Sequence, residues 1–159
     1  MSTIGRIVAW VVLTSITVVV AGIGGCETRK AYYDWQVRMM CEKDGGVTVF
    51  ERVALSRDEY KQLGGSEGSI PVYAPSSEHP NEPYFTETKT VYMRESNPEI
   101  RRDDVLFKRR SDNVVLGRFI YYARVGGDFP TPAHRSSKGC TQAEPSVSAQ
   151  IFQIEGATK

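Results

Sequence analysis

Residues Val105–Val125 read VLFKRRSDNVVLGRFIYYARV, and this stretch decides the fold class. Val105 to Arg110 and Val114 to Val125 are rich in β-branched and aromatic residues. Ser111-Asp112-Asn113 between them is turn chemistry, so the segment predicts a β-hairpin. A second strand is expected just upstream at Tyr84 to Arg94 (YFTETKTVYMR), and another at Val47 to Leu55 (VTVFERVAL), where apolar and polar residues alternate. Ala149 to Ile154 reads as a terminal strand. Ser56-Arg57-Asp58-Glu59 has capping-box spacing and predicts a short helix ending near Gly64. Residues 64–83 read as loop, with a short edge strand at Ile70–Ala74, where Pro71 disfavours a central position.

Residues 28–44 are expected to form a helix that Gly45-Gly46 stops. At about 100° per residue, Tyr33, Val37, Met40 and Cys41 share one face, which docks on the domain. Tyr32, Trp35 and Met39 gather on nearly the opposite face and form a candidate interface, because aromatic and Met side chains suit partner and membrane contacts. Consecutive strands with short links and few helices imply an α+β domain. Its N-terminal helix is expected to pack on a small antiparallel sheet of about four to six strands.

The chain has 159 residues, 40% apolar, 25% charged and 10% aromatic, which fits one globular domain plus a short extra segment. The extra segment is residues 1–25, and the single exported domain is residues 26–159. Arg6 is the one cation near the start, and Ile7 to Gly25 carry no charge. This is the order of an export signal. The run is about 28 Å long as a helix, close to the roughly 30 Å hydrocarbon core, so a permanent membrane anchor is an alternative. In that alternative Ser15, Ala21, Gly22 and Gly24 supply small-residue helix packing, and Tyr32, Tyr33 and Trp35 an interfacial aromatic belt. A buried core helix is the third option, and an apolar surface on every side argues against it.

Ile23-Gly24-Gly25-Cys26 resembles the lipobox of bacterial lipoproteins: aliphatic, small, small, Cys. The family prefers Leu where this chain has Ile23, and Ala or Ser where it has Gly24. The resemblance implies cleavage before Cys26 and a diacylglycerol on its thiol. Glu27 follows that cysteine. In enterobacteria-like sorting an Asp there favours inner-membrane retention, so Glu27 points to the periplasmic face of an outer membrane where the source has one. CEKDGGVTVFERVAL and YYARVGGDFPTPAHRSSKGC are also similar to small bacterial lipoproteins of unassigned activity, which adds origin and export but no mechanism.

With Cys26 acylated, Cys41 and Cys140 remain, and an even remainder in an exported chain reads as one disulfide. The rival is a thiol-dependent enzyme in which Cys140 is the nucleophile and His134 its base. Gly126-Gly127-Asp128-Phe129 partly matches the signature of diguanylate cyclases but lacks that family's further acidic residue. It reads as a turn in which Asp128 caps local amides. Glu99, Asp103 and Asp104 alternate with Arg101, Arg102, Lys108, Arg109 and Arg110 and read as a self-compensating solvated face. Its rival is an anionic partner at Lys108-Arg109-Arg110. His79 and His134 sit in separate loops, and Glu78 or Asp128 lacks the spacing to complete a metal site with them. Removing Arg6 with the leader balances the charges, so no nucleic-acid partner is expected. The sequence therefore predicts a lipid-anchored envelope protein with a non-catalytic binding or structural role. It has no cofactor, no metal and no catalytic set. Its partners are the membrane and an envelope protein. A single-pass inner-membrane accessory subunit is the alternative.

Overall fold

The computed structural model describes residues 3–66, 68–76, 80–128, 134–141 and 145–156; within them the side chains of 3–9, 18–23 and Cys26 are outside the description. The fold is α+β. Helix α1 (Thr3–Asp44) leads into strand β1 (Gly46–Val49), strand β2 (Val53–Leu55) and helix α2 (Arg57–Gln62). Strands β3 (Tyr84–Arg94), β4 (Glu99–Arg109) and β5 (Val115–Val125) follow, then β6 (Ser137–Gly139), helix α3 (Val147–Ile151) and β7 (Phe152–Ile154). The main sheet runs β1-β5-β4-β3, with β6 also pairing β5, and every pair in it is antiparallel.

The meander forms where the sequence predicts it. The turn between β4 and β5 uses Asn113 at φ 59°, a left-handed conformation that Asn tolerates, and Asp112 accepts from the Val114 amide. Three boundaries differ from expectation. Strand β4 begins at Glu99 rather than Val105, so the charged run 99–104 lies inside a strand. Cross-strand ion pairs make that acceptable: Asp104 receives Arg118 from β5, and Lys108 meets Glu87 on β3. The expected strand over 47–55 is broken at Phe50–Arg52, where the amides of Phe50 and Glu51 both donate to the Leu116 carbonyl. The chain then leaves the main sheet, and β2 pairs in parallel with β7 in a separate two-stranded sheet. The expected strand over 149–154 is half helix, because the Ser146 side chain caps α3 by accepting from the Ala149 amide. The Ile70–Ala74 segment is not a strand, although the Thr86 amide of β3 donates to the Tyr73 carbonyl at 2.9 Å.

The capping box at Ser56 and Glu59 forms as read, and α2 buries Tyr60. Two cores result. One gathers Leu55, Tyr60, Ile70, Leu116, Ile151 and Phe152. The other joins Val37 of α1 to Ile100, Ile120 and Tyr122 of the sheet, with Tyr33, Met40, Cys41 and Cys140 around it. Each fully buried aliphatic here contributes roughly 1.5–3 kcal/mol. Side chains alternate along β5, so Ile120, Tyr122 and Arg124 face α1 while Gly117 faces the other way. A Cβ on Gly117 would meet Ile151 Cδ1 at 2.7 Å, so this glycine lets α3 seat against the sheet.

Candidate docking groove and polar clasp

Helix α1 carries two kinds of surface. Its docking face presents Val37, 1% exposed, to the sheet. The same face carries the polar groups that fix the helix. Asp34 accepts from Arg124 Nε at 2.5 Å. Arg124 is itself 1% exposed, and its remaining donors reach the Gly126 carbonyl and the Ser136 hydroxyl. A charge this deep is tolerated because every edge of the guanidinium has an acceptor. One turn earlier, Lys30 Nζ donates to Asp128 at 2.8 Å, and Asp128 also accepts from the amide and hydroxyl of Ser136, both at 2.7 Å. The Gly127 amide donates to Asn97 Oδ1 at 2.7 Å, tying the β3–β4 connection to the same loop.

These contacts shift the ionisations together. Lys30 beside Asp128 holds that carboxyl well below the usual range, with Ser136 adding to the effect, and the same contact raises the Lys30 ammonium. At the other end of the docking face Cys41 and Cys140 form a disulfide, with Cα atoms 5.5 Å apart and a sequence separation of 99. The expected pairing is therefore present, and Cys140 in this state offers no thiol to His134. Tyr122 Oη donates to Asp44 at 3.0 Å at the end of the helix. Burial first, then that carboxylate, pushes the Tyr122 phenol up.

The far face of α1 is open. Tyr32, Trp35 and Met39 are 52%, 49% and 47% exposed. They form one wall of a groove of about 530 Å³, whose floor is Tyr33, Met40 and Ile100 and whose other wall is Met93 and Arg94. Arg94 lies over the Tyr33 ring, 5.0 Å from its centroid, and donates to the Pro98 carbonyl. Sequence reasoning found the first wall from helical spacing. It missed Met93 and Arg94, because their placement depends on the register shift in β3 between Tyr92 and Arg94. It also missed Asp34 and Arg124. A signal existed: Arg124 occupies the same alternation as Ile120 and Tyr122, and a cation in a buried register demands a carboxylate.

The remaining sequence candidates separate. His134 is exposed, while His79, Glu78 and Phe129 lie outside the described residues. Among the described residues no group of three or more His, Cys, Asp and Glu is placed to hold a metal. Asp128 caps the Ser136 amide, as expected of it, and also binds Lys30. The charged stretch on β4 is largely self-paired: Arg101 with Asp103, Arg102 with Asp104, and Arg109 with Glu51 and Asp112. The side chain of Cys26 is outside the description, although its backbone lies within α1. Trp10, Val11, Val12, Leu13 and Ile16 are all more than half exposed, so this part of the apolar run is not a core helix of the domain. Among the described residues no helix is long and apolar enough to cross a membrane. No family model, curated protein or solved structure matches the chain.

Proposed function

We propose that the protein is a lipid-anchored cell-envelope protein whose one exported domain has a non-catalytic binding or structural role. The observation that carries this reading is the bare apolar arm of α1. Trp10 is 68% exposed and Leu13 59%, with no part of the domain over them. Such a surface needs a bilayer during export. The lipobox-like Ile23-Gly24-Gly25-Cys26 then supplies the point of cleavage and acylation. The Cys41–Cys140 bond suits an oxidising compartment. Glu27 rather than Asp after the acylated cysteine supports the periplasmic face of an outer membrane over the inner membrane, where the source has one. The groove beside Trp35 is the binding surface, and the membrane and an envelope protein are its partners.

A second reading is favoured by one feature: α1 is unbroken across Gly24, Gly25 and Cys26. An uncleaved single-pass anchor, serving as an accessory subunit of the inner membrane, has this continuity. Two glycines in mid-helix cost roughly 1 kcal/mol each relative to Ala, which makes this the place where the helix opens most readily for a peptidase. Cys26→Ser separates the readings. The lipoprotein accumulates as full-length precursor, whereas the single-pass anchor is unchanged in size and membrane association.

A further inference from the structure

We infer that the Tyr32–Trp35–Met39 face of α1 rests on the bilayer surface, with the helix lying flat between the membrane and the domain. This inference rests on the cleavage proposed above and names the occupant of the open face. Cleavage leaves Cys26 as the first residue, and Lys30 is already bound to Asp128. The tether is therefore four residues, about 6 Å of helix, with no slack to lift the domain away. Tyr32, Trp35 and Met39 follow at about 9, 14 and 20 Å along the axis, on the side away from the sheet.

A helix held this close has two orientations to choose between. Upright, as it would stand with the leader still attached, it carries Trp35 about 15 Å beyond Gly25. That is clear of a headgroup layer of about 5–8 Å. Lying flat, the whole exposed face meets the interface, where Trp and Tyr rings are favoured. Met93, 56% exposed across the groove, adds apolar surface on the same side. Lys43 is exposed, falls toward the same face by helical spacing, and can meet a lipid phosphate at its C-terminal end. Glu42 borders that face, so attraction to anionic lipid is local and the aromatic contact carries the binding.

Trp35 is its own reporter. In a Trp10→Phe background it is the only tryptophan whatever happens to the leader. Membrane-extracted protein would be reconstituted into phosphatidylethanolamine–phosphatidylglycerol vesicles carrying lipid brominated near the top of the acyl chains. Trp35 emission is expected to shift to shorter wavelength and to be quenched. Tyr32→Glu with Met39→Glu, both at exposed positions, is expected to abolish the quenching while the disulfide persists on a non-reducing gel. Unquenched Trp35 in a processed, acylated chain overturns the inference alone and assigns the groove to a protein partner. Quenching that survives the double substitution overturns it as well. A chain that keeps its leader overturns the cleavage reading. In that chain quenching would support contact of this face with lipid, and its absence would defeat both.

Discussion

Arg124 shows how one buried charge fixes the seat of a helix. Its guanidinium is desolvated, and among the described residues Asp34 is the carboxylate that receives it. Asp34→Ala leaves that charge uncompensated and is expected to cost about 3 kcal/mol of unfolding free energy, measured by urea titration of the oxidised protein. Lys30→Ala breaks a more exposed contact and should cost much less. Asp128 gives a pH signature. Its folded carboxyl titrates far below the value near ~4 that it has in the unfolded chain, so acid favours unfolding. Its contribution is complete above about pH 4 and is lost as pH falls further. Lys30, raised by the same contact, keeps its contribution until pH rises past its ordinary range near ~10. Asp128→Asn should therefore flatten the acid limb of stability, read by circular dichroism from pH 6 downward to about 2. Sequence patterning sees such residues poorly, because alternation marks a position as buried without naming what the buried group touches.

Elements were more legible than contacts. Strand β3 spans the residues its composition indicates, and the second half of α1 stops at Gly45-Gly46 as its glycines require. The strand over 47–55 reads as one piece because β-forming residues flank Phe50–Arg52 on both sides, although the alternation lapses there, and its two halves belong to different sheets. The turn that separates them is imposed by the Leu116 carbonyl, a tertiary partner no local window contains. Strand β7 was overextended for a similar reason: its parallel pairing with β2 is set by a contact about 100 residues away. Gly117→Ala should cost about 1–3 kcal/mol by forcing Ile151 away from the sheet, seen as a lower thermal midpoint with unchanged secondary structure. The Cys41–Cys140 bond joins α1 to the strand that follows the clasp loop. Cys41→Ser should lower stability by roughly 2–5 kcal/mol, and added reductant should then have no further effect on the midpoint.

At the scale of the whole molecule, α1 is one continuous helix from Thr3 to Asp44, and in the reading proposed above it serves as both leader and domain helix. Residues 10–17 are exposed, and the second half of the helix is bound to the sheet by the Lys30 and Asp34 ion pairs and the disulfide. On the proposed reading, a helix with such a division would deliver the domain to a membrane and hold it there without a flexible spacer. On that reading the groove beside Trp35 would be kept at a fixed height and facing one way. This division was visible in the sequence as a charge-free run followed by two opposed faces, but the absence of a spacer was not, since it depends on Asp128 reaching Lys30 across 98 residues. The most direct measurement is the intact mass of the protein extracted from membranes. The account predicts a chain beginning at Cys26, heavier than residues 26–159 by a diacylglycerol with or without a further acyl group. A mass equal to the full 159 residues with no added lipid would contradict it.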